Sequence, residues 1–137
     1  ITRRLMEGSI EILRQAGVRE NKIDIYWVPG ALELPLFCAR IARRKKYDAI
    51  LAMACVIRGD TYHFECVSHE VTRGVSQTAL ECAVPIATAI LTVDDLEQAI
   101  DRAGLKSGNK GADAALAALE MADLNRFLSP PKKRRLR

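Results

Sequence analysis

Residues 49–57 are nine consecutive apolar residues, closed on one side by Asp48 and on the other by Arg58 and Gly59. The run is well short of the roughly 20 residues a membrane-spanning helix needs. It shows no polar–apolar alternation, so a strand here has both faces covered, as in a parallel sheet packed between helices. Residues 86–91 form a second buried strand, and residues 23–28 a short third one ended by Pro29 and Gly30. Between these runs the apolar spacing turns helical. Leu5, Met6, Ile10, Ile12 and Leu13 give residues 1–16 one greasy side, with Gly17 as a C-terminal stop. Leu34, Phe37 and Ile41 repeat at helical spacing, with Pro35 tolerated in the first turn and cations at 43–46 closing the helix. Phe64, Val67, Val71, Val75 and Thr78 mark a helix to about Cys82. Asp94 as N-cap and Glu97 as its reciprocal partner open a helix that ends near Gly104. An alanine-rich helix follows from near Gly111 to about Phe127, with Leu116, Leu119 and Ala122 on one side.

Strands alternating with helices predict an α/β fold, an open parallel sheet with helices on both faces. In such folds ligands bind beyond the carboxyl ends of the strands. Three loops qualify, at residues 29–33, 58–63 and 92–95.

A chain of 137 residues, 49% of them apolar, has surface to bury for one globular unit, placed at residues 1–128, with residues 129–137 as a disordered tail. Lys132, Lys133, Arg134, Arg135 and Arg137 lie in that tail and exceed the whole net charge of +4, which leaves the folded body near neutral. Nucleic-acid binding by the tail is the sharper interpretation of those charges, but a solvated end after Pro130 and Pro131 is favoured over it. Cys38, Cys55, Cys66 and Cys82 have no Cys-x-x-Cys spacing and sit in apolar stretches, as buried thiols of a reducing compartment do. No charged-then-apolar leader is visible at the first residues, and the expectation is a cytoplasmic protein with no membrane partner.

The segment richest in chemistry is Arg58-Gly59-Asp60-Thr61-Tyr62-His63, which couples a strand end, a glycine and a first helical turn. A helix N-terminus offers backbone N–H groups and a positive dipole end, so anions settle there, and Gly59 permits close approach. Thr61 adds a hydroxyl. His63 adds an imidazole, a group suited to moving protons near neutrality, although a surface or capping histidine is the commoner case. Arg102, Lys106 and Lys110 alternate with Gly104, Gly108 and Gly111 between two helices, either a phosphate-binding element or a solvated linker. Glu33, after Pro29 and Gly30, either contacts a ligand or complements its helix dipole. His63, Cys66 and His69 do not converge on one helix face, which argues against zinc. Neither a Walker-type loop nor a dinucleotide glycine fingerprint occurs in the chain.

Together, in this order and spacing, these segments resemble the 6,7-dimethyl-8-ribityllumazine synthase family. Val28-Pro-Gly-Ala-Leu-Glu-Leu-Pro is similar to the family's valine-proline-glycine-x-x-glutamate-x-proline stretch, and residues 47–64 to its phosphate loop. Residues 102–111 and Ala117-Ala-Leu-Glu-Met-Ala-Asp-Leu complete the pattern, so the likeness covers residues 1–127. It implies a three-layer, flavodoxin-like α/β/α fold with a parallel sheet of about four strands. It also implies condensation of 5-amino-6-(D-ribitylamino)uracil with 3,4-dihydroxy-2-butanone 4-phosphate, with loss of phosphate and two waters and without cofactor or metal. Carried over residue by residue, Ala31, Leu32 and Glu33 hold the ribityl chain, and Cys55, Val56 and Ile57 the pyrimidine. Asp60 and Thr61 cradle the phosphate, Arg102 clamps it from the adjacent subunit, Lys110 adds positive field, and His63 shuttles protons. Relatives assemble as pentamers, some closed into decamers or sixty-subunit icosahedral shells, and the short link at residues 104–111 looks like that of the shell-forming members.

The chain departs from this pattern in three places. Family members open with a strand inside the sheet and a loop whose aromatic residue stacks on the pyrimidine, for which nothing from Ile1 onward is a counterpart; the expected consequence is an unfilled lane of unpaired backbone. Thr88 stands where many relatives place an aromatic facing the neighbour's site, and the basic tail has no counterpart role. Three other functions compete at this stage: a non-catalytic shell of the same fold, a nucleic-acid-binding module acting through the tail, and a phosphate-binding flavodoxin-like protein.

Overall fold

The computed structural model describes residues 1–128, and the basic tail at 129–137 lies outside the described residues. Helix α1 spans Thr2–Gln15 and ends where the N–H of Gly17, at φ +83°, donates to the Arg14 carbonyl and that of Val18 to the Leu13 carbonyl. Two single 3-10 turns, Glu20–Lys22 and Ala31–Glu33, flank an extended stretch that leads into α2, Leu34–Ala42, with Pro35 in its first turn as expected. Strand β1 (Ile50–Ile57), helix α3 (His63–Cys82), strand β2 (Ile86–Val93), helix α4 (Leu96–Arg102) and helix α5 (Lys110–Leu128) complete the order.

The two strands are parallel and paired over their full length, from Ile50 opposite Ile86 to Ile57 opposite Val93. β1 is apolar on both faces and β2 nearly so, with Thr88 and Thr92 exposed, and each face of the sheet has its own core. Ile50, Ala52 and Ala54 point toward α2 and α3, where they meet Leu34, Cys38, Ala42, Val71 and Val75. Leu51, Met53, Cys55, Ala89, Leu91 and Val93 point the other way, toward Leu5, Ala99 and Ala114 of α1, α4 and α5. The result is the expected α/β/α layering. Small residues let the helices close in: a Cβ on Gly74 of α3 would lie 2.8 Å from the Pro35 ring of α2, and one on Gly111 of α5 would lie 1.9 Å from the Leu5 carbonyl oxygen of α1.

Of the three strands expected within these residues, at 23–28, 49–57 and 86–91, the sheet has two among the described residues. Residues 23–28 do not join it. They run extended along the open edge of β1, but a cavity of about 350 Å³ separates the two stretches, lined by Ile25, Trp27 and Val28 on one side and Leu51, Met53 and Cys55 on the other. Ladder hydrogen bonds require strands about 4.8 Å apart, and that gap exceeds their reach. The cavity runs along the edge where the resemblance implied an open lane. Two smaller corrections concern helices. The N-cap of α4 is Asp95, not Asp94: its carboxylate accepts from the Gln98 N–H at 2.8 Å, and Gln98 Oε1 in turn accepts from the Asp94 N–H at 3.0 Å. On α5 the buried side is Gly111, Ala114, Ala115 and Ala118, whereas Leu116 is exposed, because only small side chains fit against α1 and the sheet.

Candidate active site

Parallel pairing brings the carboxyl ends of β1 and β2 to one edge, and the Arg58 N–H extends the ladder by donating to the Val93 carbonyl at 2.9 Å. Two loops leave this edge, one through Gly59 to α3 and one through Asp94 to α4. Arg58 ties them together. Its Nε donates to Asp94 Oδ1 at 2.8 Å, its Nη1 pairs with Glu65 in the first turn of α3, and its guanidinium lies 4.3 Å from the centre of the Phe64 ring. Hydrogen bonds from Arg58 hold the Glu65 and Asp94 carboxyls below the usual carboxylate range, and those bonds raise the guanidinium's own pKa. Arg58 is therefore committed to the loop and is not an open cation for a ligand.

The turn that Arg58 steadies is exposed from Gly59 to His63. A Cβ added at Gly59 would meet nothing within 4 Å, so the space above the turn is open to a ligand. His63 is the first residue of α3 and its amide lies 3.4 Å from the Thr61 hydroxyl, a long and weak capping contact. The helix end is consequently not plugged by its own side chains, and a phosphate could replace that contact with stronger charge-assisted ones.

Along the same strand, the cavity under residues 23–31 brings Ala31 together with Cys55, joined by Val28 and Pro29. Leu32, Glu33, Val56 and Ile57 stand outside its lining, on the same edge of the sheet. Gly30 lets Glu33 fold back, since a Cβ there would come 2.9 Å from Glu33 Oε2. Burial pushes the Cys55 thiol up, which keeps it protonated and apolar.

The remaining predicted residues do not join this turn within one chain. Arg102 ends α4, six residues beyond Leu96 and so about 9 Å along the axis from the Asp94 loop, and its Nη1 donates to the Gln98 carbonyl at 3.2 Å. Lys110 opens α5 and pairs with Asp113 at 2.8 Å. Thr88 is exposed on β2, opposite Ala52, and five residues of strand put it about 17 Å from Val93. Three features were not anticipated from sequence. Only spatial neighbours reveal the Arg58 clamp. The Asp24–Lys46–Tyr47 cluster, with contacts of 2.6 and 2.7 Å, joins segments more than twenty residues apart. The Asn109 cap of α5 did have a visible signal, an asparagine directly before a helix.

The family profile for 6,7-dimethyl-8-ribityllumazine synthase matches residues 1–126. Among similar proteins, the 6,7-dimethyl-8-ribityllumazine synthase of Kosmotoga olearia is 49% identical over 126 residues, covering 92% of this chain and 81% of the relative. That of Clostridium kluyveri is 49% identical over 128 residues, covering 93% and 83%. With the sheet edge, its open glycine turn and these likenesses in agreement, the chain belongs to the 6,7-dimethyl-8-ribityllumazine synthase family.

Proposed function

We propose that this chain performs its family's reaction in riboflavin biosynthesis, condensing 5-amino-6-(D-ribitylamino)uracil with 3,4-dihydroxy-2-butanone 4-phosphate, at sites completed between neighbouring copies. The observation that carries this is the unplugged turn at residues 59–63 at the carboxyl end of β1, the strand whose Cys55 lines the cavity together with Ala31. The uracil's 5-amino nitrogen forms a bond to the ketone carbon and one water leaves as an imine forms. Loss of the proton on the neighbouring hydroxyl-bearing carbon then expels phosphate from the terminal carbon, and the enol so formed tautomerises to a methyl ketone. Attack by the ribitylamino nitrogen on that new carbonyl closes the ring with loss of the second water. No oxidant or reductant is required.

In this scheme the residues mostly position. Ala31, Leu32 and Glu33 hold the ribityl chain, and Cys55, Val56 and Ile57 the pyrimidine. Asp60 and Thr61 receive the phosphate at the N-terminus of α3, and His63 carries protons to the leaving water and from the carbon next to the departing phosphate. Arg102 and Lys110 lie away from their own chain's turn, which favours their reaching a neighbour's site. The same holds for Thr88, whose hydroxyl replaces a stacking ring. A pentamer places each of these beside the next subunit's turn, and pentamers can close further into shells. Four free thiols suit a reducing, cytoplasmic setting.

The test is steady-state kinetics with both substrates, read by product fluorescence. His63→Ala is expected to lower kcat on the order of 10²-fold without abolishing it, because orientation of the two reactants supplies several kcal/mol independently of the imidazole. Arg102→Ala is expected to raise chiefly the KM of the phosphate substrate. Unchanged kinetics in both variants would sink the role assignments, and no product from the intact protein would favour a non-catalytic shell.

A further inference from the structure

We propose that Asn109 is the positioning residue for the two cations of this site: one amide side chain locks the end of α4 that carries Arg102 to the start of α5 that carries Lys110. The inference rests on Arg102 and Lys110 being the phosphate's cationic ligands, as proposed above. Asn109 uses its whole hydrogen-bonding capacity. Its Oδ1 accepts from the N–H of Gly111 at 2.8 Å and of Ala112 at 3.2 Å, satisfying two donors that the first turn of α5 leaves without a helical partner. Its Nδ2 donates to the Ala103 carbonyl at 3.1 Å and to the Arg4 carbonyl of α1 at 2.9 Å.

The fold makes room for this side chain by omitting others. A Cβ on Gly8 would lie 2.4 Å from Asn109 Cγ, one on Gly104 2.9 Å from Nδ2, and one on Gly111 2.9 Å from Oδ1. Ala103, fully buried, and Asn109 also face each other as an isolated antiparallel bridge. Residues 104–108 thus form a loop with a closed neck, entered through Gly104 and left through Gly108, both at positive φ. Arg102 and Lys110 stand immediately outside the neck, one on each side. Consecutive Cα atoms are about 3.8 Å apart, so each cation's backbone lies one peptide unit from an atom that Asn109 fixes. The spacing between the backbones that carry the two cations is set by the neck and not by the loop's own conformation.

Asn109→Ser keeps a good N-cap for α5 but is too short to reach the Ala103 and Arg4 carbonyls. The expected result is a KM for 3,4-dihydroxy-2-butanone 4-phosphate raised on the order of 10-fold, with kcat and the KM of the uracil substrate changed less than about two-fold. Gly8→Ala supplies an independent route to the same defect, since its new Cβ presses on the Asn109 side chain from α1 while alanine is otherwise favourable in a helix; it is expected to raise the same KM. In a background lacking both cations, Arg102→Ala with Lys110→Ala, Asn109→Ser should add little further, because nothing remains for it to position. An unaltered KM in Asn109→Ser and Gly8→Ala, or a full additive effect on top of that double variant, overturns the proposal while leaving the site intact. An unaltered KM in Arg102→Ala and Lys110→Ala instead removes the site assignment on which it stands.

Discussion

Gly59 and Gly111 are both conspicuous in the sequence, and the structure gives them opposite jobs. Gly111 is a packing glycine: a methyl there would collide with the Leu5 carbonyl oxygen at 1.9 Å, and backbone cannot step aside cheaply. Gly111→Ala is expected to cost about 3 kcal/mol, seen as a lower urea midpoint at unchanged slope. Gly59 has open space around its added Cβ and no positive φ, so nothing in the fold demands glycine there. Gly59→Ala should leave stability within about 0.5 kcal/mol and weaken binding of the phosphate substrate. A Gly59→Ala variant that loses stability but binds normally would contradict the assignment of that turn. The buried Cys38, pushed up to about 11 by desolvation, is by contrast a pure core residue.

Among the elements, residues 23–28 are the instructive case. Their composition is that of a strand, yet they stand off from β1 and are anchored by polar contacts instead of ladder bonds. Asp24 accepts from Lys46 at 2.7 Å and from the Tyr47 hydroxyl at 2.6 Å, Tyr26 and Tyr47 share a hydroxyl contact at 2.8 Å, and the Tyr26 ring tilts against Phe37 at 5.2 Å. The hydrogen bond from Lys46 holds the Asp24 carboxyl below its ordinary 3.8, so this anchor is complete above that value and is lost as pH falls through the lower folded value. The bond to Asp24 pushes Tyr47 up to about 12 and also raises Lys46, so their share is present below their ordinary values of 10.0 and 10.5 and is lost as pH rises through the folded ones. The chain has one tryptophan, Trp27, 63% exposed within this segment. Its emission should be flat between about pH 5 and pH 9 and shift at both extremes. Asp24→Asn should shift the emission already at neutral pH, and a profile identical to the parent chain's would show that the cluster does not hold the segment.

For the molecule as a whole, one chain exposes much that globular proteins cover. Leu36 and Leu80, on α2 and α3, are 67% and 83% exposed, and Met121, Leu124 and Phe127 are exposed along the last part of α5. Apolar surface on that scale fits the proposed assembly, in which Arg102, Lys110 and Thr88 would serve a neighbour's turn. Sedimentation analysis is expected to give the mass of five chains or a multiple of five. Leu80→Glu should shift it toward the monomer and reduce activity in parallel, whereas a fully active monomer would contradict shared sites.

The five helices, the two paired strands and the α/β class were legible in residue order, because buried strands and amphipathic helices carry periodicities that local physics reads directly, and the family was legible in the motif stretches at residues 28–35, 47–64 and 102–111. The 47–64 stretch likewise announced its strand, its glycine turn and its histidine. What tertiary structure alone decided was distance. That residues 23–28 stand a cavity away from β1, that Arg58 is consumed by Glu65 and Asp94, and that Asn109 reaches a carbonyl 105 positions back in the chain depend on how close packed layers come. A local pattern specifies which face a side chain takes, but the gap it must cross is set by everything else the fold has packed there.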